Sequence, residues 1–519
     1  MRFWINQVTD RPAGYFGLGG IIMEMALEKK TEVESVEKIA LLEYIAYFFY
    51  GFGQVLNYAM VGTFIAIFYT DYLFVSASFI GGLFLVSRIL DAVIDPFMGA
   101  LIDKTNSPKG KFRLWMKWGS LAVVASTMIL FIPWSLDGQV LLAIISITYI
   151  LWGVLYTLSD VPFWSLSTAM SNDGQERSKA VTVANAGVNL GFLLPGLLVP
   201  ISAKYIGHHI LGYDVANNTA FMQGLPWAML FLSVTTIPMM IFGYSFTKER
   251  RSKHIEKVSF KEMVQTVRSA KPLFVICIIF FLDIFWDLQT ALITYFFVWN
   301  LGDAQNQATV AFWSMFGFIF LVFYPMLTKR FKKKWILQTQ LILDTILRCS
   351  LFILGYENHT FVIILLVALS FIRTMASSVI PNMIGESVEY CEYKTGNRTE
   401  ALVFSFQTFT GKLKTAFALG LSGFLLTVIG YTPSVTSQSN STLHWIFVIC
   451  ILVPAIGNIL KLFVSFYIKF SEDEFKEVVK FIKHKNSRLN ALTENNQSEA
   501  LYHIKKMEEI QAQLEKKGI

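Results

Sequence analysis

Three ionisable residues lie close together inside an apolar stretch of the chain. Arg88, Asp91 and Asp95 are separated by three and four positions, a spacing that places their side chains on one face of a helix. An ionised group near the centre of a bilayer costs roughly 2.5–3.5 kcal/mol even on a lenient scale. Two interpretations remain open: an ion pair that only holds helices together, or a cation site beside a water-filled path. We favour the cation site, because ionisable residues inside a membrane commonly mark ion pathways.

The composition indicates a membrane protein. Charged residues make up 16% of the 519 residues and apolar residues 54%, whereas soluble proteins carry about 25% charged residues. The four cysteines show no spacing typical of a metal site or a disulfide framework, and we interpret them as packing residues. Residues 1–39 lack the pattern of a cleavable signal peptide.

Runs of about 20 apolar residues predict twelve membrane spans in two sets of six. The first set lies near 41–69, 77–102, 114–134, 139–166, 180–206 and 221–246, and the second near 272–300, 306–328, 335–355, 359–386, 399–429 and 443–470. The predicted domains are a disordered extension (1–40), two six-helix halves (41–247 and 272–470), a linker (248–271) and a helical tail (471–519). Matching halves around a central cavity are typical of secondary transporters.

Basic residues predict the orientation of the chain. The loop after the second span, the linker and the loop TKRFKKKW carry many lysines and arginines, whereas the loops on the other side carry none. The positive-inside rule therefore predicts cytoplasmic termini and a cytoplasmic linker and tail.

The fourth span pairs an acidic residue with an aromatic one. Asp160 and Trp164 are four residues apart in the run TYILWGVLYTLSDVPFWSL and so share a helical face. A carboxylate accepts hydrogen bonds from sugar hydroxyls, while an indole covers the apolar face of a sugar ring. A tryptophan considered alone would be assigned to packing or to the membrane interface; beside a buried carboxylate, it favours contact with a sugar.

Four motifs together resemble the glycoside–pentoside–hexuronide:cation symporters of the major facilitator superfamily. They are RILDAVIDPFMG, the loop GKFRLW, the fourth span, and EYCEYKTGNRTEALVFSFQTFTGKLKTAFA, in order over residues 45 to 470. The run from Gly99 to Lys104 also resembles the signature of that superfamily. This resemblance implies an all-α membrane protein of the major facilitator fold, with twelve helices in two pseudo-symmetric halves.

The resemblance also implies site residues. The family's cation site falls on Asp91, Asp95 and Thr157, with Lys412 beside it and Gln407 one turn before that lysine. The sugar-contacting acid and aromatic residue fall on Asp160 and Trp164, and Arg88 matches a structural or gating arginine of the family.

This chain departs from melibiose permease, a member of that family, at several site positions. Asn57 and Tyr58 stand where that protein has a lysine and a sugar-binding acid, Ile94 replaces an asparagine that helps to bind sodium, and Asn185 lies near a missing arginine. The loss of a sodium ligand leaves two close carboxylates, which readily share a proton. We therefore favour protons over sodium as the coupling ion.

The second half adds further ionisable residues. Asp283 and Asp287 share a face of the seventh span; they are either hydroxyl acceptors for the substrate or ion-pair partners of Lys412 or Lys414. Arg373 and Glu386 in the tenth span are interpreted as gating or structural residues.

The sequence thus predicts a monomeric, multi-pass transporter of the cell membrane that imports a sugar with H⁺ or Na⁺. We expect no cofactor, no metal beyond possible sodium at Asp91 and Asp95, no nucleic-acid partner and no enzymatic activity. One alternative is a symporter for another amphipathic solute, such as a lysolipid, on the same scaffold. The other is a membrane protein without transport activity.

Overall fold

The computed structural model describes residues 38–250 and 271–516, except for 106, 108–109, 137, 172–173, 396–399, 434, 436, 469–471 and 494–495. A few side chains within helices, including that of Asp95, also lie outside the description. Most of the predicted extension and of the predicted linker falls on residues that are not described. The described part of the chain contains helices and no strands.

The N-terminal half contains six long helices. They are α1 (Leu41–Ile67, continued by a π-helical segment to Tyr72), α2 (Ala77–Lys104), α3 (Lys111–Leu130), α4 (Gly138–Ala169), α5 (Gly174–Tyr205, continued to Ile210) and α6 (Thr219–Phe246). Helix α1 packs against both α5 and α6, and α3 packs against α4. Prolines lie inside α4, α5 and α6, as membrane helices packed against neighbours tolerate.

In the C-terminal half three predicted spans are interrupted helices. Its helices are α7 (Lys271–Phe281), α8 (Ile284–Tyr295, continued to Asn300), α9 (Gln305–Met315), α10 (Ile319–Arg330), α11 (Lys333–Leu354), α12 (His359–Ala376), α13 (Val379–Thr395), α14 (Glu400–Val428) and α15 (Asn440–Phe466). The breaks between α7 and α8 and between α12 and α13 are the two that matter for the site. Helix α8 packs against α14 and α15, and α11 packs against α15.

Each of the twelve predicted spans coincides with one of these helical segments. Eight of the described helical segments are long and apolar enough to cross a membrane, so the protein is an all-helical, multi-pass membrane protein. The full count of twelve crossings stays a prediction, because α2, α3, the α9–α10 segment and α14 are not among those eight.

The predicted polar tail forms a helical hairpin. Helices α16 (Glu472–Thr493) and α17 (Gln497–Lys516) pack against each other. Val478, Ile510 and Leu514 form their small apolar core, which packs on Tyr393 of α13. The hairpin is therefore attached to α13, the second helix of the tenth predicted span.

Among the described residues, the two halves share a hydrophobic core at one end of the bundle. We name the ends from the loops: the basic end carries Lys111 and Lys333, and the far end carries the turns after Tyr72 and Asn300. At the far end one buried cluster contains residues from both halves, among them Phe64 and Phe296. Toward the basic end, one cluster belongs to the N-terminal half and another to the C-terminal half. The halves are thus packed together at the far end.

Candidate functional site

Asp91 lies in the middle of α2 and forms an ion pair with Arg88. The Arg88 Nη1 atom donates to Asp91 Oδ2 at 2.8 Å, and both side chains are almost buried, at 12% and 11% exposure. The Arg88 guanidinium also lies over the rings of Tyr58 and Trp152, 5.7 and 5.8 Å from their centroids. The three-residue spacing predicted a shared helical face, with an ion pair as one of two interpretations. The aromatic rings add cation–π attraction that stabilises Arg88 in an apolar span.

Helix α4 approaches the Asp91 carboxylate through a glycine. A β-carbon at Gly153 would lie 2.5 Å from Asp91 Oδ1, so only glycine leaves room for the carboxylate in its present position. Thr157, one turn further along α4, is buried and donates its hydroxyl to the Gly153 carbonyl at 3.2 Å. The structure therefore brings the helical turn of Thr157 next to Asp91.

Lys412 of α14 approaches Asp91 from the other half. Its ammonium and the Asp91 carboxylate are close enough to attract each other, and Arg88 repels the same ammonium. The structure thus places a cation from each half around one carboxylate. The side chain of Asp95, the remaining member of the predicted cation site, lies outside the described residues.

Asp160 of α4 is held by a hydrogen-bond chain from α1. Gln54 donates its amide to Asp160 Oδ1 at 2.7 Å, and its carbonyl oxygen accepts from Ser159 Oγ at 2.9 Å. The Ser159 hydroxyl lies 2.7 Å from the hydroxyl of Tyr50. The Trp164 side chain is within hydrogen-bonding reach of the Asp160 carboxylate. The predicted acid and aromatic residue are therefore together, and Gln54 fixes the orientation of the acid.

Tyr58 connects the two predicted sites. Its ring packs against those of Trp152, Tyr156 and Phe192. Charges on Arg88, Asp91, Asp160 and Asp287 all act on its hydroxyl. Tyr58 thus lies near the Arg88–Asp91 ion pair, near Asp160, and near Asp287 of the C-terminal half.

Three other predicted substrate residues differ in their burial. Asn57 is completely buried and donates to the Gly53 carbonyl at 2.9 Å and to Thr236 Oγ1 at 2.8 Å, so it joins α1 to α6. Asn185 is exposed and donates to the Val181 carbonyl of its own helix. Gln407 is half-buried on α14. In this conformation Asn57 is not available to a substrate.

Asp283 sits at the break between α7 and α8 and faces two cations. Lys461 Nζ donates to its Oδ1 atom at 2.8 Å, and Arg373 Nη1 lies 3.8 Å from the same oxygen. The Arg373 guanidinium lies flat against Trp286, 3.8 Å from the ring centroid. The structure therefore places Arg373 with Asp283 in the middle of the C-terminal half.

Asp287, one turn further along α8, forms its own ion pair. Lys414 of α14 lies 3.2 Å from Asp287 Oδ2, and Thr415 donates to the same oxygen at 3.1 Å. Of the two interpretations drawn from the sequence, ion-pair partner and hydroxyl acceptor, the first describes Asp287 in this conformation.

A fully buried ion pair within α11 is joined to α15 by Asn458. Arg348 Nε donates to Asp344 Oδ1 at 2.5 Å, and Asn458 donates to the same oxygen at 2.5 Å. With exposures of 1% and 3%, neither side chain contacts solvent in this conformation. Glu386, in contrast, pairs with Lys333 at the basic end, a position compatible with the predicted gating or structural role.

At the far end a carboxylate of α1 binds two residues of the other half. Asp71 accepts hydrogen bonds from Trp299 Nε1, at 3.1 Å, and from the Tyr431 hydroxyl. Nearby, Thr70 and Tyr295 hydroxyls lie 2.9 Å apart, and Lys204 lies 3.0 Å from Asp303. These contacts close the far end of the bundle.

Sequence reasoning missed several of these residues because their partners are distant in the chain. Gln54 and Asp160 are 106 positions apart, and Asp283 and Lys461 are 178 apart. The one signal available was local: Asp344 and Arg348 are four positions apart in the ninth span, a spacing that predicts an ion pair on one helical face.

Comparisons with known proteins identify relatives over most of the chain. The profile of the family described as MFS/sugar transport protein matches residues 46–472. An uncharacterized symporter of Bacillus subtilis is 29% identical over 87% of this chain and 97% of its own length. The isoprimeverose transporter of Lactiplantibacillus pentosus is 27% identical over 87% of this chain and 93% of its own. A putative sulfoquinovose importer of Salmonella typhimurium is 27% identical over 89% of this chain and 97% of its own length.

Solved structures show the same fold. A bacterial homologue of the human lysosomal transporter Spinster, in an inward-facing and unoccupied conformation, superposes with a TM-score of 0.59 at 12% identity, covering 82% of this chain and 98% of that one. A D-xylose–proton symporter superposes with a TM-score of 0.54 at 14% identity, covering 82% and 96%. The fold is therefore that of the major facilitator transporters, and the relatives are transporters rather than enzymes. The chain belongs to the MFS/sugar transport protein family, the melibiose-permease-like symporters of the major facilitator superfamily.

Proposed function

We propose that this protein imports a sugar into the cell together with a cation, by alternating access. One observation supports the proposal most directly: Gly153 and Asp160 lie seven residues apart on α4, and Gly153 abuts Asp91. Seven residues are close to two helical turns, so both positions share a face of α4. A change at the Asp91 carboxylate is therefore transmitted through one rigid helix to the residue that accepts sugar hydroxyls.

In this proposal Asp160 and Trp164 bind the sugar, and Asp91 binds the cation with Asp95 and Thr157. Arg88 and Lys412 balance the charge of the empty site. When the cation binds, Lys412 is displaced and α4 packs against the occupied site. Asp160 and Trp164 are then already ordered, so the sugar binds at a lower conformational cost. One charge moving through 100 mV supplies about 2.3 kcal/mol, which is enough for a gradient on the order of fiftyfold.

We propose a proton as the coupling ion. Arg88 already occupies Asp91 Oδ2 at 2.8 Å, and Ile94 offers no ligand atom. Sodium requires several oxygen ligands, whereas a proton requires one carboxylate oxygen.

The contacts between the halves support an inward-facing conformation. The basic residues favour a cytoplasmic location of the basic end, so the closed far end faces the outside of the cell membrane. The shared far-end core and the separate cores toward the basic end agree with this assignment, and we propose that a monomer carries out the full cycle.

Uptake into membrane vesicles tests the proposal. Labelled glycosides, pentosides and hexuronides are supplied while a pH gradient or a sodium gradient is imposed separately. Accumulation of a sugar with the pH gradient alone supports proton coupling, and accumulation with the sodium gradient alone would assign sodium. Failure to accumulate any sugar in either gradient contradicts the proposed function.

A further inference from the structure

Around the break between α7 and α8, the described side chains include four cations and three carboxylates. Among the described side chains around the break between α7 and α8, Lys461 pairs with Asp283, Lys414 with Asp287 and Arg348 with Asp344. Arg373 is the fourth cation of this group, and three carboxylates serve four cations. An uncompensated positive charge within a membrane span costs several kcal/mol, so an anion at this position would be strongly stabilised.

Arg373 is the member of the group that remains available to such an anion. Its nearest carboxylate oxygen, Asp283 Oδ1, is 3.8 Å away and already accepts from Lys461 at 2.8 Å. A distance of 3.8 Å is too long for a hydrogen bond. Its side chain is 29% exposed, whereas Arg348 is 1% exposed and directly bonded to Asp344. Arg373 therefore has open donors, and Arg348 does not.

The guanidinium is also held in a fixed orientation. It stacks on Trp286 at 3.8 Å from the ring centroid, and Arg348 lies 5.5 Å from the same centroid. Stacking orients the plane of the guanidinium while leaving its edge free, and that edge binds carboxylate or sulfonate oxygens in pairs.

Arg373 lies close to two helix breaks. Asp283 lies at the break between α7 and α8, and Arg373 lies in the last turn of α12, just before the break to α13. Interrupted helices commonly form the substrate sites of transporters. Lys414 attracts Asp283 and pairs with Asp287. The charges of Asp287 and of Asp160 both act on the hydroxyl of Tyr58, so this group of charges lies near the predicted sugar site.

We propose that Arg373, stacked on Trp286 and supported by Lys461, binds an anionic group carried by the sugar substrate. The substrate class is then an acidic sugar derivative, a carboxylate or sulfonate, whose hydroxyls meet Asp160 and whose acidic group meets Arg373. This inference rests on the proposed sugar transport and adds a second point of recognition in the C-terminal half.

Matched sugars test the inference with the full-length protein in proteoliposomes. Binding and uptake are measured for methyl glucosides and galactosides, for the corresponding methyl uronides, and for their neutral uronamides. We expect the uronide to bind more tightly than the uronamide in the unchanged protein. Arg373→Gln should weaken uronide binding by about ten- to a hundredfold, the range for a charged hydrogen bond, and leave neutral sugar binding within about twofold. Arg373→Lys keeps the charge but loses the paired donors. Its affinity for the uronide should therefore lie between those of the unchanged protein and Arg373→Gln.

Controls separate this inference from the proposed function and from misfolding. Lys204→Gln removes a cation of the far-end pair with Asp303 and should leave the preference for uronides intact. Equal loss of uronide and neutral sugar binding in Arg373→Gln overturns the inference, as does uptake of neutral sugars alone by the unchanged protein. Uptake of no sugar in the panel overturns the proposed function itself. Uptake of neutral sugars is also measured with chloride replaced by isethionate. If this uptake requires chloride in the unchanged protein but not in Arg373→Gln, the site binds a free anion, and the proposed substrate class is overturned.

Discussion

Asp71 at the end of the first span accepts a hydrogen bond from the indole of Trp299 at the end of the seventh span, across the boundary between the two halves. Tyr431 donates to the same carboxylate. A carboxylate that satisfies two donors of the opposite half stabilises the closed far end, and the halves must break both bonds before that end can open.

We expect Asp71→Ala to shift the protein toward an outward-open state. Thr294 is fully buried beneath the far-end contacts, with its hydroxyl near the Thr63 carbonyl. In a variant with the native cysteines replaced and carrying Thr294→Cys, Asp71→Ala should increase labelling by a membrane-impermeant maleimide severalfold. Loss of two hydrogen bonds to a charged acceptor is worth about 1.5–3 kcal/mol each.

Asp303→Asn is the matched control for that experiment, because it removes a half-exposed far-end ion pair with Lys204 that contributes at most about 1 kcal/mol. Asp303→Asn should increase maleimide labelling much less than Asp71→Ala does. Equal labelling with and without Asp71→Ala would show that Asp71 does not hold the far end closed.

Gln54 positions the acid that we assign to sugar binding. Gln54→Leu keeps the size of the side chain but removes the donor that lies 2.7 Å from Asp160 Oδ1. We expect sugar affinity to fall by about tenfold, because Asp160 loses its orienting bond. Equilibrium binding measures this, and Ser146→Ala, which removes only a hydrogen bond within α4, should have no effect. Unchanged affinity in Gln54→Leu would contradict the positioning role.

Gly153 is required by the position of Asp91. Gly153→Ala places a β-carbon 2.5 Å from Asp91 Oδ1, so the carboxylate must move. We expect concentrative uptake to be lost while downhill exchange of sugar persists. Gly82→Ala is the matched control in α2, because its β-carbon meets nothing within 4 Å. Normal accumulation in Gly153→Ala would show that the geometry of Asp91 against α4 does not matter for coupling.

The tail hairpin should respond to pH. Nδ1 atoms of His484 on α16 and His503 on α17 lie 2.9 Å apart, and burial, followed by the charge of His503, lowers the pKa of His484 below its ordinary value of 6.5. The released hairpin therefore binds more protons than the packed one near and below pH 6.5, and acid favours its release. The protection factors of α16 and α17, which correct the exchange rates for the pH dependence of the intrinsic amide rate, should be smaller at pH 5.5 than at pH 7.5.

His484→Asn removes this titrating group and should reduce the difference in the protection factors of α16 and α17 between pH 5.5 and pH 7.5. Identical protection factors at both pH values in the unchanged protein would contradict the prediction.

The parts of the site that sequence analysis predicted are those carried by a single helix or by the resemblance. The spacing of Arg88 and Asp91 predicted a shared helical face, with an ion pair as one of two interpretations, and the two residues are paired. The spacing of Asp160 and Trp164 predicted a shared face, and they are neighbours. Local spacing could not reveal that Asn57 faces α6, because the packing of α1 against two other helices decides which of its polar residues remain available.

The partners of isolated charges were equally hidden. The sequence named Lys412 or Lys414 as the ion-pair partner of Asp283, which is wrong for Asp283: the fold places Lys461 of α15 at 2.8 Å from its carboxylate. The surplus charge of Arg373 becomes visible only after every other cation of the group has been assigned a carboxylate.

The most direct measurement is the steady-state accumulation of labelled sugar by vesicles that carry Asp91→Asn together with Asp95→Asn. The account predicts that these vesicles exchange sugar down its gradient but no longer concentrate it when a pH or sodium gradient is imposed. Accumulation equal to that of the unchanged protein would contradict it.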